Sequence, residues 1–585
     1  MKSLSRAVMA ACLPLLLCSP VLADDAQSDF VPVTDEMLQD PSPQDWLMWR
    51  RTLDSWGYSP LDEINRDNVG QLDLVWSRGL APGFQEGTPL VYDGVMYMVQ
   101  PLDVIQAFDA TNGDLLWEYR RQLPDDLVVP FPAINRNIAI YDDLIIDTSA
   151  DDYVFALDAK TGQLVWETQI LDYKTNPSQQ TSGPIIANGK VISGRGCEPV
   201  GGPEACVITA HDAETGEELW RTGTIPAPGE PGDETWGDVP YESRWHVGTW
   251  LVPSFDPELN MLYVGTSVTS PAPKFLLGGN DQQHLYHNST LAIDADTGEI
   301  VWYFQHVIDN WDLDHTFERL LIDTAVTPDP DEVEWINPNL TPGEEHKVVT
   351  GIPGKTGLVY TLDRETGEFL WATPTVEQNV ISDIDPETGA ATINPDVLYT
   401  AAGQEHLICP STSGGKIWAA GAYSPDSGLM YYPLHNTCMT SQAVIEEPTL
   451  DSLYGLNSRA QITPGTDNVG TVQAISVETG EIVWKHEQRS GHMSLVATGG
   501  GLLFGGDVAG RFHAFDQDSG DVLWETILGS SVTGYPVSYA VDGKQYIAVS
   551  TGSSLTSGGL NALTPEVHPS TANVLYVFAL DDAAQ

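Results

Sequence analysis

Positively charged residues are scarce in this chain. Its 585 residues include 26 lysines and arginines against 82 aspartates and glutamates, a formal net charge of −56. A surface of this sign repels phosphate backbones, which excludes nucleic acid as a partner. Adaptation to salt would explain the acidity, and so would steering of a basic protein or a cationic substrate. The sequence leaves both explanations open.

Long apolar runs are absent after the first 23 residues, so no membrane-spanning helix is expected there. Two basic residues precede the apolar run AVMAACLPLLLC, and VLA at 21–23 fits a signal-peptidase site. The sequence therefore predicts a signal peptide at 1–23, cleaved near Ala23. Residues 24–44 are predicted to be an N-terminal segment that precedes the main domain. The mature protein is expected to be soluble and periplasmic.

Cysteine is rare, and no CxxCH motif is present, so no covalently attached haem is expected. Two of the six cysteines lie in the predicted signal peptide. The other four are an even number in an oxidising compartment, which indicates two disulfides. We pair Cys197 with Cys206 across a Gly-Gly-Pro loop, and Cys409 with Cys438.

A short phrase recurs seven times along the chain. Each copy predicts a hairpin: a strand ending in Ala-x-Asp, a turn whose glycine supplies φ > 0, and a strand ending in Trp. One tryptophan in this place would be ordinary core, whereas seven at the same register indicate a shared docking role between neighbouring sheets. The copies are AFDATNGDLLW (107–117), ALDAKTGQLVW (156–166), AHDAETGEELW (210–220), AIDADTGEIVW (292–302), TLDRETGEFLW (361–371), AISVETGEIVW (474–484) and AFDQDSGDVLW (514–524).

The spacing of the copies predicts an all-β fold, an eight-bladed β-propeller with tryptophan-docking repeats over 45–585. The gap between 361 and 474 is long enough to contain a blade without the phrase, with GLMYYPL (428–434) as one strand. The last blade is expected to close by pairing of VLYVFAL (574–580) near QLDLVW (71–76). Six or seven blades remain open.

Two segments outside the repeats carry candidate chemistry. The first runs from Asp309 to His315, where an extended chain would send Asp312 and Asp314 to one face. Carboxylates at that spacing suit a hard cation, although an acidic surface loop would show the same sequence pattern. The second is the glycine-rich loop SGRGCEPVGGPEAC (193–206), which contains Glu198.

Several motifs together resemble the pyrroloquinoline quinone (PQQ) dependent alcohol dehydrogenases, the family of methanol and ethanol dehydrogenases. They are the repeated phrase, WRRTLDSWGYSPLDEINRDNVGQL (49–72), QEGTPLVYDGVMY (85–97), ICPS with NTC (408–411, 436–438) and the WDLD segment. The resemblance covers roughly 45–580 and includes no cytochrome c domain.

The resemblance implies roles for particular residues. Asp312 would be the catalytic base that takes the alcohol proton. The metal ligands would be Glu198, Asp312 and Asp314, holding Ca²⁺ or a lanthanide ion. The residues implied at the PQQ site are Glu86, Arg136, Thr181, Gly196, Cys197, Thr249, Trp250 and Lys355.

The sequence also departs from the family pattern. Pro130 and Phe131 stand where many relatives have adjacent cysteines against the quinone, and Phe131 would stack there instead. The family's metal-binding Asn is missing from GTSVTSPAPK (265–274), which leaves Val268, Thr269 or Ser270 nearby. Asp314 resembles the extra aspartate of lanthanide-using members and would compensate.

Two further departures affect the pocket. Ile417 and His492 occupy positions where relatives often show Asn and Trp. These changes suggest a reshaped pocket and a substrate other than methanol.

These observations predict a periplasmic enzyme that uses PQQ and a metal ion to oxidise an alcohol to the aldehyde or ketone. Electrons would pass to a separate, soluble cytochrome c, because the chain has no haem motif. The alternatives are a non-catalytic propeller scaffold of the cell envelope and a hydrolase that uses the same carboxylates. Whether the alcohol is small or polymeric, and whether the chain forms a homodimer, stays open.

Overall fold

The computed structural model describes residues 30–129, 131, 134–199, 201–446 and 455–581. The predicted signal peptide lies outside these residues. The chain from Pro32 onward forms one compact unit. None of the helices in the described ranges is long and apolar enough to cross a membrane.

Eight sheets of four or five strands contain most of the strands in the described chain. Neighbouring strands in each sheet are antiparallel, apart from one short parallel edge strand, and most follow one another in the sequence. The first four sheets contain Leu72–Gly79, Val574–Leu580, Lys544–Thr551 and Val537–Val541; Pro89–Tyr92, Val95–Gln100, Val104–Asp109 and Leu115–Arg120; Ala139–Tyr141, Leu144–Thr148, Tyr153–Asp158 and Leu164–Gln169; and Ile185–Ala187, Lys190–Gly194, Val207–Asp212 and Glu218–Gly223. The other four contain Ser254–Asp256, Met261–Gly265, Ser289–Asp294 and Ile300–Gln305; Leu320–Val326, Glu344–Gly351, Leu358–Asp363, Phe369–Pro374 and Trp335–Ile336; Ala422–Ser424, Leu429–His435, Gly470–Ser476 and Ile482–Gln488; and Tyr58–Ser59, His492–Thr498, Leu502–Asp507, Arg511–Asp516 and Val522–Ile527.

Smaller elements lie between these sheets. The short sheets are Ser178–Gln179 with Gly196–Cys197, Ile381–Ile384 with Ala391–Ile393, and Glu405–Ile408 with Thr437–Ala443 and Leu456–Ile462. The described α-helices are Asp35–Gln39 and Ser557–Leu563, and the 3₁₀ turns are Val69–Gln71, Pro203–Ala205, Asp233–Trp236, Tyr241–Ser243, Lys274–Leu277 and Pro395–Val397. The all-β class is confirmed.

The repeated phrase forms the predicted hairpin, with one correction. In the first copy Val104–Asp109 pairs with Leu115–Arg120, and Gly113 in the turn has φ 78°. The second strand does not end at Trp117, as we expected, but continues three residues beyond it. It does so because its backbone stays paired with the preceding strand as far as Arg120.

Each turn glycine lies against a tryptophan from the preceding strand pair. A Cβ atom on Gly162 would come within 2.5 Å of the Trp117 ring, and the Trp117 Nε1 donates to the Ala159 carbonyl at 2.9 Å. Only glycine fits such a close approach, so the turn sequence and the tryptophan are linked. The same contact joins Trp76 to Gly113, Trp166 to Gly216, Trp220 to Gly298, Trp302 to Gly367 and Trp484 to Gly520, while at Gly480 Val333 is nearer, at 2.5 Å, than Trp371, at 3.2 Å.

Two predictions about unmarked strands are confirmed. The GLMYYPL segment provides the strand Leu429–His435, which pairs with Gly470–Ser476. Near the two ends of the chain, Leu72–Gly79 and Val574–Leu580 pair antiparallel, with Leu72 opposite Leu580. Both predicted disulfides, Cys197–Cys206 and Cys409–Cys438, are also present.

Residues near the N-terminal end pack into the same core cluster as several sheets. Trp49 is fully buried and contacts Tyr535 edge to face at 5.5 Å between ring centroids. Trp250 and Trp418 belong to this cluster. Trp250 and Trp418 are therefore held by a packed apolar core.

Candidate active site

A cavity of about 250 Å³ brings together residues that are far apart in the sequence. Loop residues that precede the first strands of several sheets line it, and they combine aromatic, charged and aliphatic side chains. The aromatic and aliphatic ones include Phe131, Ile134, Trp250, Ile417, Trp418 and Leu555, and the charged ones are Arg136, Asp312, Asp314 and Lys355. A largely apolar cavity with a few convergent charges is the usual form of a cofactor or ligand site.

Lys355 brings the two predicted aspartates together. Its Nζ lies 2.8 Å from Asp312 Oδ1 and 2.9 Å from Asp314 Oδ2. The backbone between the aspartates is not the extended strand that we assumed, because Asp312 has φ 65°. The convergence arises from a loop in which Asp312 adopts the left-handed conformation, which aspartate tolerates better than most residues.

Charge and burial set the protonation of this group. Burial raises the pKa of Asp312 well above its usual value, even though Lys355 acts in the opposite direction. Burial would raise the pKa of Asp314 too, but Lys355, His246 and the Val268 N–H outweigh it and hold that pKa below its usual value. The two aspartates counter the burial of Lys355 and hold its pKa above the usual value.

Asp309 fixes the shape of this loop. Its Oδ1 accepts from the Trp311 N–H at 2.6 Å, and its Oδ2 accepts from the Leu313 N–H. Asn288 donates to both Asp309 Oδ2 at 3.1 Å and the Leu313 carbonyl at 3.0 Å. These bonds satisfy the buried polar groups of the loop and hold the aspartates on either side of Leu313 in place.

Arg136 gathers three more of the predicted residues. Its Nη2 lies 2.6 Å from Glu86 Oε2, and its Nη1 donates to Thr181 Oγ1 at 2.9 Å and to the Trp250 carbonyl at 3.3 Å. The guanidinium carbon lies 5.2 Å from the Trp250 ring centroid and 5.6 Å from that of Trp418. Glu86 and Thr181 therefore fix Arg136 against two aromatic faces.

Gly196, Cys197 and Thr249 lie behind the cavity wall. Gly196–Cys197 pairs with Ser178–Gln179, and the Cys197 carbonyl accepts from the His246 N–H at 3.0 Å. The Thr249 N–H donates to the Arg195 carbonyl at 3.2 Å. His246 lines the cavity, whereas these three residues do not.

Glu198 is a buried carboxylate that no described donor reaches. Its side chain is inaccessible to solvent, and neither carboxylate oxygen has a hydrogen-bond partner among the described residues. Burial raises the pKa of Glu198 to about 8. An unpaired buried carboxylate is costly, so the residue is suited to contact with a cation.

The sequence profile of the PQQ-dependent glucose, ethanol and alcohol dehydrogenase β-propeller domain matches residues 46–395 and 466–547. The chain belongs to the PQQ-dependent alcohol dehydrogenase family. It is 32% identical over 590 residues to the dehydrogenase subunit of the quinone alcohol dehydrogenase of Komagataeibacter europaeus, covering 94% of this chain and 77% of that one. It is 31% identical to the quinoprotein alcohol dehydrogenase PedH of Pseudomonas putida, with 88% of both chains covered.

Solved structures agree with this membership. The quinohemoprotein alcohol dehydrogenase ADHIIG of Pseudomonas putida HK5 superposes with a TM-score of 0.82 at 30% identity, covering 94% of this chain and 83% of that one. A europium-containing methanol dehydrogenase superposes with a TM-score of 0.83 at 26% identity, covering 94% of this chain and 100% of that one. Membership supports alcohol oxidation with PQQ and a metal ion.

Val268 has no side-chain oxygen at the place where the resemblance implied a metal-binding Asn. The Val268 N–H instead donates to Asp314 Oδ1 at 2.9 Å. Thr269 Oγ1 accepts from the buried Lys274 Nζ at 3.3 Å. Within the described ranges, no three His, Cys, Asp or Glu side chains stand close enough together to hold a metal ion.

The residues that line the cavity differ from those that the motifs indicated. Trp418, His246 and Thr556 line the cavity although the motifs did not point to them. Trp418 directly follows Ile417, which the comparison with the family pattern had singled out, and this neighbourhood was the sequence signal that could have indicated Trp418. His492 does not line the cavity, and instead it is buried beside His486 and Phe515.

Proposed function

We propose that this family member oxidises an alcohol to the aldehyde or ketone in the periplasm, using PQQ and a metal ion, and passes electrons to a separate cytochrome c. The observation that carries the proposal is the Lys355 ammonium held between Asp312 and Asp314 at the wall of a tryptophan-lined cavity. A scaffold would not need buried charges that converge on an accessible cavity.

The residues present fit PQQ, a flat tricarboxylate. Trp250 and Trp418 offer aromatic faces, while Arg136 and Lys355 offer donors to carboxylate and carbonyl oxygens. Glu86, Thr181 and the loop around Gly196, Cys197 and Thr249 hold these groups from behind. Phe131 lines the same cavity, where we propose that it replaces the cysteine pair of relatives.

The proposed metal ligands are Glu198, Asp312 and Asp314; the described structure does not gather three such side chains at one point, so they would have to draw together when the ion binds. Glu198 fits this role because both of its buried oxygens lack partners among the described residues. Three carboxylates suit Ca²⁺ and, by their added charge, a trivalent lanthanide. When bound, PQQ and its metal supply the electrophilic carbonyl that accepts hydride from the alcohol.

Asp312 would act as the base. It lines the cavity, and Lys355 fixes one of its carboxylate oxygens, which leaves the other free to face an alcohol hydroxyl. Proton removal by a positioned carboxylate would accompany hydride loss from the same alcohol carbon. Asp309 would keep the base in place through its bonds to Trp311 and Leu313.

We also propose that the eight sheets are the blades of one closed propeller over 45–585. The tryptophan–glycine contacts between successive repeats and the Leu72–Gly79 pairing with Val574–Leu580 support this ring. Residues 1–23 would direct export and be removed near Ala23.

The test is reconstitution of apoprotein with PQQ and either Ca²⁺, La³⁺ or Ce³⁺, followed by dye reduction with a panel of alcohols. Turnover is expected with one class of metal. Turnover with Ca²⁺ alone would exclude a lanthanide as the metal of this enzyme, and turnover with La³⁺ or Ce³⁺ alone would exclude calcium. Folded protein that takes up no PQQ with any of these ions would instead indicate the scaffold.

A further inference from the structure

A buried ion pair lies behind the two tryptophans of the cavity. Lys416 Nζ is 2.6 Å from Glu318 Oε2, and both side chains are inaccessible to solvent. Neither residue lines the cavity, and the two are 98 positions apart in the sequence. Pairing lowers the cost of burying both charges, but it does not by itself explain why they are there.

Lys416 holds the chain on both sides of Trp418. Its Nζ donates to the Ile417 carbonyl at 3.1 Å and to the Ala419 carbonyl at 3.2 Å. With the bond to Glu318, these contacts use all three N–H groups of the ammonium. The backbone that carries Trp418 is therefore fixed from both neighbouring residues.

The same ammonium reaches Trp250 through an aromatic ring. Lys416 Nζ lies 4.7 Å from the Phe317 ring centroid. The Phe317 ring meets Trp250 edge to face, with 5.6 Å between centroids and 80° between planes. Lys416 is thus in contact with the supports of both tryptophans that face Arg136.

Glu318 holds Lys416 in this place. Its Oε1 accepts from the Gly421 N–H at 2.7 Å, while the Gly421 carbonyl accepts from Arg50 Nη2 at 2.6 Å. Glu318 therefore cannot turn away from Lys416 without leaving a buried N–H unsatisfied. The pair is anchored on the side away from the cavity.

We propose that Lys416 and Glu318 are positioning residues that set the separation and tilt of Trp250 and Trp418, the two aromatic walls of the cofactor cavity. This inference rests on the proposed function, because it assigns those walls to PQQ. It predicts that losing the pair weakens cofactor binding even where the fold is retained.

The experiment compares Lys416→Met, Glu318→Gln and the double variant with the wild type. Three quantities are measured: the melting temperature, the near-ultraviolet circular dichroism of the apoprotein, and the PQQ dissociation constant by tryptophan quenching at fixed metal. Each single variant leaves one buried charge unpaired and is expected to melt earlier. The double variant removes both charges of the pair, but Glu318 also offsets the burial of Arg50 and Arg319, so only part of the lost melting temperature is expected to be recovered.

The double variant is nevertheless expected to bind PQQ about tenfold more weakly, with an altered tryptophan dichroism, because the carbonyl contacts around Trp418 are lost. Its matched control is Arg364→Met with Asp256→Asn, another buried ion pair, joined at 2.6 Å, whose residues do not line the cavity. The control is expected to keep the wild-type dissociation constant.

The outcomes are distinguishable. A double variant that binds PQQ like the wild type would overturn the positioning role and leave the pair with a structural role alone. A wild type that binds no PQQ would contradict the proposed function instead. In that case the apoprotein dichroism still decides, since an unchanged spectrum in the double variant overturns the positioning role.

Discussion

Lys355 Nζ and Asp312 Oδ1 lie 2.8 Å apart at the wall of the cavity. Asp314 remains beside Lys355 when Asp312 is made neutral, so the lysine keeps a partner. The fold of Asp312→Asn should therefore be retained while its chemistry is lost.

Asp312→Asn is expected to lower kcat by about a thousandfold, the usual effect of removing a positioned base. Steady-state turnover of reconstituted enzyme measures it, with circular dichroism as the check on folding. The exposed Asp281→Asn is the control and should keep full activity. Retention of most activity in Asp312→Asn would overturn the assignment of the base.

Glu198→Gln is expected to weaken metal binding by about 10- to 100-fold, because the amide removes one negative ligand. Isothermal titration of apoprotein with the activating metal measures the change. Glu204→Gln, an exposed position in the same loop, provides a matched control. Equal metal affinities for Glu198→Gln and wild type would exclude Glu198 as a ligand.

Gly162→Ala is expected to lower the free energy of unfolding by about 1–3 kcal/mol more than Gly543→Ala. Both glycines have positive φ, 68° and 82°, so the backbone cost is shared. Only at Gly162 does the added methyl meet a ring, that of Trp117, whereas nothing lies within 4 Å at Gly543. Urea unfolding compares the two, and equal losses would contradict tight packing of Trp117.

Asp507 should make the protein less stable as pH rises. Burial raises the pKa of Asp507 from its usual 3.8 to about 6, so the folded state holds a proton that the unfolded state releases. Protonated Asp507 makes its full contribution to stability below about pH 4, and this contribution is lost as the pH rises through 6. The free energy of unfolding falls by about 3 kcal/mol over this range. Asp507→Asn should remove this slope, which urea unfolding at pH 4 and pH 7 measures. Parallel pH profiles for variant and wild type would contradict it.

Electron transfer to the proposed cytochrome should weaken with salt. The net charge of −56 favours a basic docking face on the partner, and ions screen such attraction beyond about 10 Å at 0.1 M ionic strength. Turnover with the native cytochrome is expected to fall between low and high salt, while dye-linked turnover stays constant. Turnover with the cytochrome that does not change with salt would contradict electrostatic docking.

The predictable part of the fold is local. Residues ten apart in a hairpin meet through one turn, so the repeated phrase indicated its strand pairs and its turn glycines. The even cysteine count indicated the number of disulfides, and the short Gly-Gly-Pro loop indicated that Cys197 pairs with Cys206. The end of the outer strand was misplaced, because backbone pairing and not the tryptophan decides where it stops.

The sequence alone determined the all-β class, the pairing of the chain ends and, through the family motifs, the charged residues of the cavity together with Trp250. Only the tertiary structure decided that Trp418 and His246 line this cavity and that His492 does not, and that Lys416 meets Glu318. The reason is that the cavity is built from loops that meet only when the sheets are packed side by side. No short-range pattern specifies such distances.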